Sequence, residues 1–271
     1  MFDHALSRAV AAVIHDAANR AIMPHYRQLA SHEIVEKAVD DLVTVADTES
    51  EAILSQGLAR ILPEAAIVGE EAAHADPAVM NRLGDALCWI IDPVDGTNNY
   101  AQGKPPFGIL IALAEKGETV AGWIYDPLRD RMCEAQLGKG ARIDGGPVTA
   151  RGSGESPAVA AISLMFASAD KREALKRHIA PHYRLVDIPR CAAEQYPRIV
   201  LGENDLTIFE RTYAWDHAAG ALFVNEAGGK VARPDGRPYR VDEHLQPGLL
   251  GAWSPALWDE LAGRMREIDA A

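Results

Sequence analysis

Trp89-Ile90-Ile91-Asp92-Pro93-Val94-Asp95-Gly96-Thr97-Asn98-Asn99-Tyr100 reads as an apolar strand that runs straight into two carboxylates three positions apart. Pro93 has no amide to donate and helps end the strand, while Gly96 permits a tight turn whose N–H groups converge on one spot. Thr97 brings a hydroxyl and opens a short helical turn, so the Gly96 and Thr97 amides offer a cradle for an anion. Asp-Pro and Asp-Gly pairs also mark ordinary turns, and taken alone the stretch leaves a plain strand exit open.

Two other acidic segments bear on that choice. Gly69-Glu70-Glu71 ends the apolar run Ala66-Ile67-Val68, and Trp215-Asp216 precedes a helix from Ala218, where Asp216 is by default an N-cap. An adjacent acid pair by itself is commonly a solvated face. If the segments converge, Glu70, Asp92, Asp95 and Asp216 form an all-oxygen cage, which suits Mg²⁺ or Mn²⁺; zinc or copper would normally recruit sulfur or imidazole. Cations between the carboxylates relieve their repulsion and can attract a phosphate.

That point answers an objection raised by composition. The 27 basic and 39 acidic residues leave a net charge of −12, a field that repels nucleic-acid polymers and anionic membranes, and a small phosphorylated metabolite as well unless local cations reverse the sign. The 271 residues fit one large or two fused domains, and 48% hydrophobic composition supplies a core without staples. Cys88, Cys133 and Cys191 stand singly, which suits a reducing cytoplasm and argues against thiol chemistry. The start, MFDHALSRAV, lacks the pattern of a signal peptide, and the longest apolar run, Phe107 to Ala114, is far short of the roughly 20 residues that span a bilayer. A cytoplasmic location is expected.

Periodicity organises the rest. Leu6, Val10, Val13, Ile14, Ala17 and Ala21 predict a helix closed near Pro24, and Ile53, Leu54, Leu58, Ile61 and Leu62 a second, with Thr48 and Glu51 at capping-box spacing and Pro63 at its end. Short segments at 66–68, 88–91, 109–114, 120–124 and 131–136 predict strands. A Gly/Ser/Pro stretch from Gly145 to Pro157 predicts a boundary between an N-terminal region, 1–150, and a C-terminal one, 151–271. Beyond it, 159–165 and 185–188 predict strands, 170–179 a helix, and Ala218 to Phe223 a helix that ends at Gly228-Gly229.

GEE at 69–71, DPVDGT at 92–97 and WDHAAG at 215–220, in that order, together resemble the lithium-sensitive, Mg²⁺-dependent inositol monophosphatase family. GWIYDPLRDRMCEAQLGKGARIDG and NEAGG are similar to the family's hairpin region and later loop, so the resemblance covers about Asp41 to Gly251. It implies an α+β fold, a layered αβαβα sandwich, usually homodimeric, with the site between the two regions. It implies two to three Mg²⁺ ions: Glu70, Asp92 and the Val94 carbonyl resemble the ligands of the first, Asp92, Asp95 and Asp216 those of the second, and a third sits near Glu70. Asp47 matches the acid that pairs with the Thr97 hydroxyl to orient the attacking water; the alternative for Asp47 is a helix N-cap before Thr48. Gly96 and Thr97 match the phosphate cradle, flanked by Asp95 and Asp216. The chemistry implied is in-line attack of a metal-activated water with no covalent phosphoenzyme, in which Asp47, Thr97 and Glu70 take part. Glu71 is read as support and His217 as a surface or core histidine.

Two departures bear on substrate. The family's GSAAL-like run corresponds to Arg190-Cys191-Ala192-Ala193-Glu194-Gln195-Tyr196, with Glu194 and Gln195 replacing small or apolar residues. The glutamate that reads inositol hydroxyls lies seven positions before the metal-binding aspartate, where this chain has Phe209; Glu210 is one position off. The expected substrate is a sugar or polyol phosphate of the inositol 1-phosphate kind. The alternatives are histidinol phosphate, fructose 1,6-bisphosphate or 3′-phosphoadenosine 5′-phosphate, and, in another class, a non-catalytic regulator that binds metal or a phosphorylated ligand.

Overall fold

The structure is a computed structural model that describes residues 3–38 and 41–269. Helix α1 (His4–Ala17) starts on Asp3, whose carboxylate accepts from the Ala5 and Leu6 amides, and continues as a wider turn to Ile22 before Pro24. A hairpin of β1 (Ile34–Ala38) and β2 (Asp41–Thr44), not anticipated from periodicity, then leads into α2 (Val45–Ile61). That helix begins earlier than the Thr48–Glu51 spacing suggested. Its N-cap is Thr44, and Asp47 closes a capping box with it. Thr48 is an exposed residue inside the helix.

Next come β3 (Ala66–Gly69), α3 (Glu70–Ala75), β4 (Cys88–Asp95), α4 (Thr97–Ala101) and the hairpin strands β5 (Gly108–Glu115), β6 (Glu118–Asp126), β7 (Arg131–Gln136), β8 (Gly140–Ile143) and β9 (Gly146–Val148). These strands form one seven-stranded sheet in sequence order, parallel only between β3 and β4. The second sheet contains β10 (Val159–Ile162), which is shorter than the expected 159–165. It is followed by α5 (Ala169–Ala174) and β11 (Arg184–Leu185), and then by α6 (Ala192–Leu201), where no helix was foreseen. The chain continues through β12 (Leu206–Phe209), α7 (Ala214–Glu226), β13 (Lys230–Ala232), β14 (Leu249–Ala252) and α8 (Pro255–Asp269). The order in this sheet is β11-β10-β12-β14-β13.

Burial explains the layering. Along β4, Trp89 and Ile91 pack on one face with Val10, Ile14, Leu54 and Leu58 of α1 and α2. Cys88 and Ile90 face the opposite way, into a core shared with Tyr196, Ile199, Ala219 and Phe223 of α6 and α7. Buried on both faces, the strand is apolar without alternation. Leu206, Ile208 and Leu250 of the second sheet meet Trp258 and Leu261 of α8. The molecule is therefore an α+β sandwich of five layers: α1 and α2, the seven-stranded sheet, α6 and α7, the five-stranded sheet, then α5 and α8. The middle helical layer is tight. A Cβ on Gly220 of α7 would overlap the Tyr196 ring of α6, so this position in the WDHAAG block is a close-approach glycine.

Candidate active site

The β4–β5 ladder carries the decisive local feature. Asp92 pairs with Leu110 and Asp95 with Gly108, so β4 holds one extra residue between its two aspartates. Side chains three apart on a regular strand point to opposite faces; one bulged residue puts them on the same face. Pro93 suits a bulge because it has no donor to lose. Gly96 follows at φ +84°, in the left-handed region, and turns the chain into α4.

Asp216 reaches the same place from the start of α7. Its helix begins at Ala214 with Tyr213 as N-cap, so Asp216 lies inside the first turn and is not the cap expected for it. Carboxylate oxygens of Asp92, Asp95 and Asp216 lie within 4.8 Å of one another. The trio opens on a cavity of about 390 Å³ that Glu70, Val94, Gly96, Thr97 and Glu210 also line. Of the residues expected to bind metal or phosphate or to take part in catalysis, Asp47 alone lies outside the cavity wall. It is fully buried behind the turn, where Thr97 Oγ1 sits 3.1 Å from Asp47 Oδ1 and 2.8 Å from the Val94 carbonyl oxygen. Asp47 Oδ2 accepts from the Thr44 amide at 2.8 Å and from the Thr44 hydroxyl at 2.6 Å, so the capping box aims its other oxygen at Thr97. The acid is thus the third residue of the helix, and the N-cap alternative is set aside.

The electrostatics follow from burial and crowding. Desolvation, then the charges of Glu70, Asp95 and Asp216, hold Asp92 well above the usual carboxylate range. Burial, followed by the Asp216 charge, pushes Asp95 up to about 7, although the Ala193 amide at the start of α6 donates to Asp95 Oδ2 at 2.6 Å. Burial also pushes Asp47 up to about 7 against the Thr44 hydrogen bonds. Acids held this way ionise together only if positive charge enters the cage. The donor set is oxygen alone, with neither thiolate nor imidazole among the converging groups, and so fits a hard divalent cation.

His217 is a core histidine. Tyr196 Oη lies 2.7 Å from its Nδ1 and the Arg211 carbonyl 2.9 Å from its Nε2. The carbonyl can only accept, so Nε2 carries the proton and the ring is neutral. Burial takes its pKa down to about 3.

Two glutamates are placed otherwise than the sequence suggested. Glu51 was read as a capping-box partner of Thr48. Its carboxylate instead accepts from the Glu71 and Ala72 amides at 2.8 and 2.9 Å, capping α3 and fixing the helix that carries Glu70. A Cβ on Gly69 would overlap that carboxylate, which accounts for the glycine of GEE. Glu194 turns away from the cavity and joins Arg131 at 2.7 Å, Arg198 at 3.0 Å and Arg129 at 3.1 Å, tying α6 to the seven-stranded sheet. Those arginines hold its carboxyl below the usual range despite burial. Gln195, by contrast, does line the cavity. Glu210 stands on the wall with its carboxylate 2.6 Å from Lys171 Nζ.

A carboxylate cage beside a left-handed turn, at the seam of a five-layer αβαβα sandwich, defines the class: a phosphoric monoester hydrolase of the kind that works with metal ions. The chain belongs to the inositol monophosphatase family, whose description residues 2–268 match. It is 31% identical over 239 residues to inositol monophosphatase 2 of Solanum lycopersicum, covering 82% of this chain and 89% of the relative. It is 30% identical over 255 residues to Nus factor SuhB of Haemophilus influenzae, covering 92% and 91%. Among solved structures, the extragenic suppressor protein suhB of Bartonella henselae superposes with a TM-score of 0.80 at 24% identity, covering 96% of this chain and 98% of that one. Among the described residues, no helix is long and apolar enough to cross a membrane.

Proposed function

We propose that this chain is a cytoplasmic, lithium-sensitive, Mg²⁺-dependent phosphatase of a small sugar or polyol phosphate of the inositol 1-phosphate kind, acting by direct attack of water, in a homodimer of two-region subunits divided near residue 150. The observation that carries this reading is the convergence of Asp92, Asp95 and Asp216 within 4.8 Å of one another beside the Asp47–Thr97 pair. A protein that only binds a ligand has no use for that pair.

Glu70, Asp92 and the Val94 carbonyl would hold one ion, and Asp92, Asp95 and Asp216 a second, with a third near Glu70. When bound, Mg²⁺ supplies the counter-charge that lets clustered carboxylates and a phosphoryl group share one cavity, and Lewis acidity toward water and the ester oxygens. The protein's own groups do the rest. Thr97 Oγ1 donates to Asp47 and can accept in turn from a water on its open side, so a proton leaving that water passes by way of the hydroxyl to Asp47. Burial poises Asp47 near neutrality, which suits such an acceptor. The Gly96 and Thr97 amides would face the phosphate, and Glu210, on the same cavity wall, would meet a polyol hydroxyl.

Phosphate release is to be measured on inositol 1-phosphate, histidinol phosphate, fructose 1,6-bisphosphate and 3′-phosphoadenosine 5′-phosphate, with Mg²⁺, Mn²⁺ and chelator. Metal-dependent release with one preferred substrate supports the reading. The relative from H. influenzae is named a Nus factor, and release from none of the panel at any metal concentration would favour a non-catalytic regulator instead.

A further inference from the structure

One residue at the cavity departs from every local preference. Arg190 occupies the position of the glycine in the family's GSAAL-like run, and its φ of +54° is the left-handed conformation that glycine adopts freely and a β-carbon resists. The backbone is anchored on both sides of it. On one side the Pro189 carbonyl accepts from Asn99 Nδ2 at 3.0 Å; on the other, Cys191 packs against Gly96. Both anchors belong to the turn and short helix that follow the aspartate cage. Arg190 is thereby held on the cavity wall, one residue from each anchor.

Its charge also has no carboxylate partner among the described residues. Arg211, on the same wall, lies 3.6 Å from Asp216, and Lys171 is paired with Glu210. Among the described residues no carboxylate lies within ion-pair distance of Arg190, in a chain of net charge −12. Gln195 lines the same cavity with 2% of its surface exposed, and among the described residues neither its amide oxygen nor its nitrogen has a hydrogen-bond partner. A buried amide without partners and an unpaired arginine on one wall describe a surface that a ligand completes.

We propose that Arg190 is a specificity residue that binds a second anionic group of the substrate, a phosphate or carboxylate remote from the ester that is cleaved, and that the chain accordingly prefers bis-anionic phosphomonoesters over neutral polyol monophosphates. This rests on the phosphatase reading and moves its preferred substrate from the inositol 1-phosphate kind to one with a second anionic group. Glycine at this position would suit the backbone and abandon the charge.

The test compares fructose 1,6-bisphosphate with fructose 1-phosphate, a pair that differs in one phosphate, using calorimetric binding in Mg²⁺ on a slow Asp47→Asn background and kinetics on the otherwise native protein. With Arg190 present, the bisphosphate should bind at least about tenfold more tightly at low salt, and the advantage should shrink as ionic strength rises. Arg190→Gly should bring the ratio to within about twofold, by weakening bisphosphate binding far more than fructose 1-phosphate binding, and raise the melting temperature. Arg190→Lys should keep part of the preference. An equal ratio in the Arg190 and Arg190→Gly proteins, or no preference with Arg190 present, would overturn the proposal. A preserved binding preference with no phosphate release from either sugar or from any other member of the panel above would instead defeat the phosphatase reading and leave Arg190's role standing.

Discussion

Thr97 Oγ1 has one proton and two acceptors, Asp47 Oδ1 at 3.1 Å and the Val94 carbonyl at 2.8 Å. Thr97→Val keeps the shape and removes the hydroxyl, so kcat should fall about 10²- to 10⁴-fold while substrate KM and metal affinity stay within a few fold. Steady-state kinetics over a Mg²⁺ series checks both. Asp95→Asn separates two duties of one side chain. Its amide oxygen can still accept from the Ala193 N–H that caps α6, but a charged ligand is lost. Turnover should drop by at least about 100-fold, the range seen when even the supporting partners of a metal site are removed. The metal-free melting temperature should hold or rise, because one of several repelling acids is gone. At this scale the sequence was most legible in DPVDGT, where glycine turn and acids are local, although the strand runs on through Pro93 to Asp95 where the proline was expected to help end it. Glu194 was not legible: residues beside the helix start differ only in direction, and two of its three arginines, Arg129 and Arg131, come from outside its own helix.

Elements decide where those residues point. The capping box at Thr44 both starts α2 and fixes Asp47 against Thr97. Thr44 to Asp47 and Thr48 to Glu51 have the same spacing, and a four-residue signal repeated in tandem cannot tell the two apart. Tertiary contact chose, by sending Glu51 across to α3. Glu51→Ala should therefore strip the Glu71 and Ala72 amides of their acceptor, at a cost of about 1–3 kcal/mol each if they stay dry. It should also weaken metal binding through Glu70 without touching a ligand. Chemical denaturation and a Mn²⁺ titration of the same variant check the two effects; a loss of stability with unchanged metal affinity would assign Glu51 to folding alone. The β1–β2 hairpin escaped periodicity because it is short and only partly buried. Helix α6 escaped because Pro197 lies within it.

Across the whole molecule, the two sheets and the helical layer between them bring together acids more than a hundred residues apart in sequence, and the charge they gather makes stability depend on pH. Asp47 and Asp95 rise from an ordinary 3.8 to about 7 in the folded, metal-free protein. Their protonated forms therefore favour folding, a contribution complete below about pH 4 and lost as pH climbs through 7. His217 works in the opposite sense, losing stability as pH falls from 6.5 toward 3, but contributes no change above 6.5. Between pH 6.5 and 8 the metal-free melting temperature should accordingly fall, and saturating Mg²⁺ should abolish that fall; thermal melts with chelator and with Mg²⁺ measure it. Layer order was legible only by way of family resemblance, since periodicity finds helices and strands but not which faces meet.

The central claim is that Asp92, Asp95 and Asp216 form one cation site. Anomalous diffraction from a Mn²⁺-soaked crystal addresses it directly: a peak about 2.0–2.3 Å from carboxylate oxygens of all three is expected. No peak there at saturating Mn²⁺, with the three side chains well ordered, would contradict it.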